Sequence, residues 1–213
     1  MKKEIAGIRK EYELESLNKE DVAADAISQF AKWWQEALNS NIDEVNAITL
    51  ATATKDGKPS ARIVLLKDYD ERGFVFFSNY NSHKGLELEA NPHAALIFFW
   101  KELERQIRIE GTVEKVSAEE SDAYFYTRPV GSRIATWASP QSRIIENRKI
   151  LEENIREYSG QFGVEVPRPA HWGGYRVIPL VIEFWQGRSS RLHDRIQYRK
   201  ESEGNWIIER LAP

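Results

Sequence analysis

Hydrophobic and polar positions follow two periods along this chain, and the switches between them mark its elements. From Val22 to Leu38 the apolar residues Ala26, Phe30, Trp33, Trp34 and Ala37 recur at helical spacing and form one broad face. The helix predicted there uses its tryptophans as core or interface anchors. The period then drops to two. NAITLATAT reads as a strand, KDGKP supplies a turn at Asp56-Gly57, and ARIVLLKDY and GFVFFSN read as a second and third strand. SHKGLELEANP predicts a short helix ending before Pro92. AALIFFW and RQIRIEGTVEKV return to strand. SAEESDAYFYTRP predicts a helix capped by Ser117, acidic in its first turn and stopped by Pro129. SRIATWASP and the charged stretch from Gln141 to Tyr158 predict further helices separated by Pro140, and PRPAHWGG reads as a loop. The chain closes on strands in YRVIPLVIEFWQG, SRLHDRIQYR and NWIIERL, with a turn at Glu203-Gly204.

The order is helix, strands, helices, strands. A parallel sheet would need repeated crossovers, which this order does not supply. The expected fold is mainly β with α-helices: an antiparallel, closed or nearly closed barrel with packed peripheral helices. Residues 1–20 are polar and charged and read as a mobile arm, in which Arg9 and Tyr12 share a face if the arm is helical. On its residues alone that arm is a solvated tail. Residues 21–213 read as a single domain, with no internal repeat, low-complexity tract or linker.

Composition narrows the classes. Hydrophobic residues make up 41% of the 213, enough to argue against wholesale disorder. A net charge of -3 gives no basic footprint for nucleic acid. There are no cysteines, so disulfides and thiol chemistry are absent. No apolar leader or membrane-spanning stretch is visible, and the cytoplasm is the expected location.

Familiar catalytic signatures are missing. There is no Gly-rich dinucleotide fingerprint after a strand, no Walker-type loop and no HExxH; His83, His93, His171 and His193 do not fall at zinc spacing, and no metal is expected. Redox chemistry on this chain would need a bound organic cofactor. The informative residues are cations inside strand patterns. Arg62 and Lys67 flank Ile63, Val64, Leu65 and Leu66, on opposite faces of a regular strand, where each either points to water or meets an anion such as phosphate. Ser82, His83 and Lys84 stand where a helix begins; they are an ordinary cap with an exposed lysine, or, with Arg62, a phosphate clamp. Tyr124 and Arg128 are helix neighbours and Ser132 follows the Pro129 turn, a set that Lys67 can complete as a second phosphate pocket. In IEFWQGRSSRLHDR, Arg191, His193 and Arg195 alternate and share one face of a regular strand, while Glu183 and Trp185 share a face of the strand before. Such a face is either a wet outer surface or a seat for a planar anionic ligand. Gln106, Gln141 and Ser142 lie near element ends and are compatible with the amide-like edge of a flavin, as any solvated glutamine would be.

Taken together, IEFWQGRSSRLHDR, RIVLLK, FFSNYNSHKG, LERQIRIEG, YFYTRPVGS and WASPQS occur in an order that resembles the pyridoxamine/pyridoxine 5'-phosphate oxidase family over essentially the whole chain. The resemblance implies an FMN-binding split β-barrel, a homodimer with FMN sites at the subunit interface, and oxidation of small phosphorylated pyridines by dioxygen, with neither nucleic acid nor membrane as partner. It implies that Arg62 and Lys84 contact the FMN phosphate region and that Arg62 to Lys67 line the cofactor. Gln106, Gln141, Ser142, Trp185 and Arg195 match flavin-contacting positions. Lys67, Tyr124, Arg128 and Ser132 match a grip on the substrate phosphate. Arg191 and His193 match residues that cover the pyridine ring, and Arg9 and Tyr12 match a pair that helps close the site. His83 stands where the family commonly has arginine; Phe77 stands where tyrosine is common, before Ser78, often threonine. The alternatives are another flavin enzyme on the same barrel, a non-catalytic FMN or pyridoxal phosphate binder and, more distantly, a nucleic-acid module.

Overall fold

A computed structural model describes residues 5, 7, 10–202 and 204–213 of the chain. The elements in chain order are α1 (Ala26–Leu38), β1 (Ala47–Ala53), β2 (Pro59–Leu65), β3 (Asp68–Asp70), β4 (Gly73–Asn79), α2 (His83–Ala90), β5 (His93–Trp100) and β6 (Arg105–Lys115). They continue with α3 (Ala118–Thr127), α4 (Val130–Ala138), α5 (Lys149–Phe162), β7 (Trp172–Gln186), a 3-10 turn (Ser189–Arg191), β8 (Asp194–Lys200) and β9 (Trp206–Leu211). The strands follow the hydrogen-bonded order β2-β1-β5-β6-β7-β4-β3, with β8 pairing β7 and β9. The pairings of β3 with β4, β4 with β7, β7 with β8 and β8 with β9 are antiparallel. Among the described residues no helix is long and apolar enough to cross a membrane. The chain forms two compact units.

The first unit comprises Met1–Thr49, Ala95–Glu110 and Pro179–Pro213. Its helix begins at Ala26 rather than at Val22, because the Asp25 carboxylate accepts the amide of Ser28 (2.8 Å) and sets the cap there. The apolar face buries as the spacing predicts. Phe30 meets Phe98 (5.4 Å between ring centres) and Trp33 stands edge-on to Phe184 (5.2 Å). The C-terminal half of β7 pairs with β8 in a register that sets Glu183 opposite Gln197 and Trp185 opposite Arg195.

The second unit comprises Leu50–Ala94 and Gly111–Ile178. Gly57 takes the left-handed conformation of the turn after β1 (φ 84°). Capping fixes α3 as expected. Ser117 Oγ accepts the amide of Glu120 (3.1 Å), while Glu120 Oε2 accepts the amide of Ser117 (3.4 Å). Phe125, Ile134, Val166 and Trp172 form a core cluster that holds α3 and α4 against the start of β7.

Two sequence expectations fail locally. The helix expected from Gln141 starts only at Lys149. Ser142 lies in the left-handed region (φ 68°), and the Asn147 side chain accepts the amide of Lys149 (2.9 Å), so 140–148 is turn and loop. The strand expected from Ser190 starts at Asp194, because Ser190 (φ 54°) and Arg191 (φ 61°) are both left-handed and end the extended run.

Candidate active site

In the second unit, β2 and β4 lie beside the ends of α2 and α3, and a cavity of about 340 Å³ opens among them. Ile63, Val64, Leu65 and Lys67 line it from β2 and its exit. Phe77 and Ser78 line it from β4, Lys84 from α2, Tyr124 and Arg128 from the end of α3, and Gln141 from the loop after α4. Ile63 is 64% exposed, an apolar side chain left open beside the charged groups. Leu66 is buried.

Lys84 is buried, and its Nζ donates to Ser78 Oγ (3.2 Å). Burial, and then the nearby charge of Arg62, lower its pKa. Arg62 itself is committed inward. Its guanidinium bonds Thr52 and Ser60 and pairs with Glu87 (3.2 Å). Glu87 is buried, and burial opposes its ionisation. Hydrogen bonds from Ser60, Thr52 and Arg62 outweigh that and hold its carboxyl below the usual range. His83 is exposed, with Nε2 3.5 Å from the same carboxylate. Gly85 allows this packing, since a Cβ there would lie 2.1 Å from the carbonyl oxygen of Tyr80.

Arg128 ends α3 with an extended backbone, so its relation to Tyr124 is not the helical one expected from spacing. Its guanidinium lies 4.6 Å from the centre of the Trp172 ring and donates to Thr136 Oγ1 (2.9 Å). Burial lowers its pKa. Among the described residues no carboxylate pairs with Arg128 or Lys84. The Tyr124 ring stacks on Phe77 (4.1 Å), and Lys67 Nζ lies 5.8 Å from the centre of the Tyr124 ring. Ser132 lines an adjoining cavity of about 210 Å³ with Arg128, Thr136 and Gln141. Ser142 is exposed and lines neither cavity.

The first unit carries a separate group. The rings of Trp185 and His193 are 4.6 Å apart, and Tyr12 stands edge-on to Trp185 at 5.8 Å. His193 Nδ1 accepts the amide of Arg188 (3.1 Å), so a neutral ring carries its proton on Nε2. Burial, and then the charge of Arg191, lower the His193 pKa. Arg195 donates to both carboxylate oxygens of the buried Glu183 (2.7 and 3.0 Å), and that bonding raises its pKa. The single face expected of Arg191, His193 and Arg195 does not form. Arg191 sits exposed on the 3-10 turn, and strand periodicity begins three residues later. Gln106 is half-buried on β6 in this unit. Arg9 lies outside the described residues.

Sequence reasoning missed Asn79, Trp172, Thr136 and Glu87. Trp172 and Asn79 line both cavities of the second unit. Nothing in FFSNYN separates Asn79 from a turn asparagine, because its burial is created by distant chain.

Residues 34–162 match the family profile described as pyridoxamine 5'-phosphate oxidase, and residues 172–213 match the pyridoxine 5'-phosphate oxidase C-terminal dimerisation region. The pyridoxine/pyridoxamine 5'-phosphate oxidase of Cupriavidus pinatubonensis is 58% identical over 210 residues, 99% of each chain. That of Trichormus variabilis is 56% identical over 214 residues, 100% of each. Among solved structures, PhzG from Burkholderia lata 383, in complex with tetrahydrophenazine-1-carboxylic acid, superposes with a TM-score of 0.88 at 32% identity, covering 94% of this chain and 99% of that one. A pyridoxamine 5'-phosphate oxidase-related, FMN binding protein from Nostoc punctiforme shares the fold (TM-score 0.70, 16% identity, 90% and 100% covered). Fold and sequence define a split-barrel protein of the oxidoreductase type. The chain belongs to the pyridoxamine/pyridoxine 5'-phosphate oxidase family.

Proposed function

We propose that this protein oxidises pyridoxamine 5'-phosphate and pyridoxine 5'-phosphate to pyridoxal 5'-phosphate, using FMN and dioxygen. The observation that carries the reading is a pair of buried or half-buried cations, Lys84 and Arg128, on one cavity with no carboxylate partner among the described residues. A desolvated cation without a counter-ion favours a bound anion. Two such cations on a cavity with an open apolar wall suit a phosphorylated cofactor and a phosphorylated substrate. The donor set therefore fits FMN.

Lys84, with Arg62 behind it, would hold the FMN phosphate, and Ile63 to Leu66, Phe77 and Ser78 the adjoining wall. His83 would add charge only when protonated, in competition with its pairing to Glu87. Gln106, Gln141, Ser142, Trp185 and Arg195 would contact the flavin ring. When bound, FMN would supply the redox chemistry: two electrons and a proton would leave C4′ of the substrate and, with a second proton released by its hydroxyl or amino group, reach dioxygen as hydrogen peroxide. For the amine substrate, water enters and ammonia leaves. Lys67, Tyr124, Arg128 and Ser132 would fix the substrate phosphate, which supplies distance and orientation for the transfer. Arg191 and His193 would cover the pyridine ring, with Arg9 and Tyr12 closing the site. The site would lie at the subunit interface of a homodimer, a reading supported by the match to a dimerisation region. The expected setting is the cytoplasm.

The test is anaerobic bleaching of bound FMN on adding pyridoxamine 5'-phosphate, followed by admission of air. Bleaching, recovery and appearance of pyridoxal 5'-phosphate would support both half-reactions. Tetrahydrophenazine-1-carboxylic acid, the molecule held by PhzG, carries no phosphate and serves as the contrasting substrate. Bleaching by it alone would overturn the substrate assignment.

A further inference from the structure

Glu104 ends the loop between β5 and β6 with φ 55°. Glycine is the default at such a position, because a side chain crowds the left-handed backbone. Here a glutamate takes that conformation and is also buried, at 2% exposure. Its Oε2 accepts the amides of Glu13 (2.8 Å) and Leu14 (3.2 Å), and its Oε1 meets Lys10 Nζ (2.9 Å). Burial opposes ionisation of this carboxyl. Bonds from Lys10, Leu14 and Glu13 outweigh it and keep the carboxyl below its usual range.

The backbone of the same residue grips the other side. Glu104 O accepts the amide of Gly187 (2.7 Å) and the side-chain amide of Gln186 (3.3 Å). The segment held by the carboxylate carries Tyr12, whose ring lies against Trp185 and 5.9 Å from His193. Gly187 leaves room for that ring, since a Cβ there would come within 2.7 Å of Tyr12 Cγ. One strained residue thus joins the N-terminal segment to the turn after β7. Strain of this kind persists where the surroundings over-determine it.

We propose that Glu104 is a positioning residue, a latch whose carboxylate holds the N-terminal segment so that Tyr12 forms a wall beside Trp185 and His193. The consequence for substrate rests on the function proposed above. A merely structural Glu104 would affect thermal stability alone; a latch governs release of the segment and substrate affinity together.

The experiment compares the parent holoenzyme with Glu104→Gln and Glu104→Gly. Limited digestion with a glutamyl endopeptidase reads release of the segment at Glu11, Glu13 and Glu15, all exposed. Glu104→Gln is expected to speed cutting there roughly tenfold, the scale of a lost charge-assisted hydrogen bond, and to raise KM for pyridoxamine 5'-phosphate by a similar factor. Its kcat and FMN affinity should stay near the parent values. Glu104→Gly removes the latch while relieving the backbone, so the same kinetic changes should come with no loss of Tm. Glu102→Gln, an exposed neighbour, should match the parent. Parental cutting rates in both Glu104 variants overturn the latch, and so does faster cutting with an unchanged KM. If Glu104→Gln fails to fold, Glu104→Gly and Lys10→Ala carry the comparison. If the parent itself does not turn over, the functional reading falls, and the cutting rates still decide the latch.

Discussion

Lys84 and Arg128 show how one side chain's surroundings set a measurable property. Burial and the charge of Arg62 depress the Lys84 pKa. Between that depressed value and the ordinary one, the unfolded chain holds more protons than the folded one, so the stability of the ligand-free protein rises with pH through this window. A bound phosphate favours the charged ammonium and opposes the trend. The gain in Tm on adding FMN is therefore expected to shrink as pH climbs from about 7 to about 10, within reach of lysine titration. Melting curves with and without FMN across that range check it. Lys84→Met should flatten the dependence, and an unchanged slope would remove Lys84 from the cofactor site. Arg128 makes a different prediction. Arg128→Ala should raise KM for pyridoxamine 5'-phosphate by on the order of tenfold to a hundredfold, with a smaller change in kcat. Steady-state kinetics reporting an unaltered KM would exclude it from the phosphate grip.

At the scale of elements, the helices and turns place these side chains, and their local chemistry is where the sequence was most readable. Ser117 was visible as a cap, and both halves of its capping box form. Ser117→Ala should cost about 1 kcal/mol, a fall of a few degrees in Tm for a chain of this size. KM should stay close to the parent value, because the core cluster still anchors Phe125. The 3-10 turn was not readable. RSSRLHDR has a clean alternation, yet two left-handed residues break it, and no period-based reading anticipates positive φ at serine and arginine. Glycines carry the tight approaches. Gly187→Ala should push the Tyr12 ring away from Trp185 and raise KM with little change in Tm; a crystal structure of that variant with Tyr12 in place would refute the crowding argument.

At the scale of the whole molecule, the proposed function places its sites in a homodimer, in which the cavity group of one subunit would be completed by the Arg191 and His193 group of its partner. At substrate concentrations well below the parental KM, Arg128→Ala and Arg191→Ala would then both be impaired, for different reasons. Mixing the two under conditions of subunit exchange should restore about a quarter of parental activity, since a two-fold dimer of one chain of each kind has one intact site of two. Failure to regain activity despite exchange would mean that both groups act within one chain. Sequence alone determined the family-level pattern: the helix face of α1, the run of strands, the capped helices and the cationic residues of RIVLLK, SHKG and YFYTR. These are legible because they depend on local period and on residue types few other roles explain. Tertiary structure decided the rest. It committed Arg62 to Glu87 and left Lys84 and Arg128 without carboxylates among the described residues. It also buried Asn79 and Glu104 and put Arg191 on a turn. Each of those outcomes depends on which distant groups come within hydrogen-bonding distance, and a one-dimensional pattern does not hold that distance.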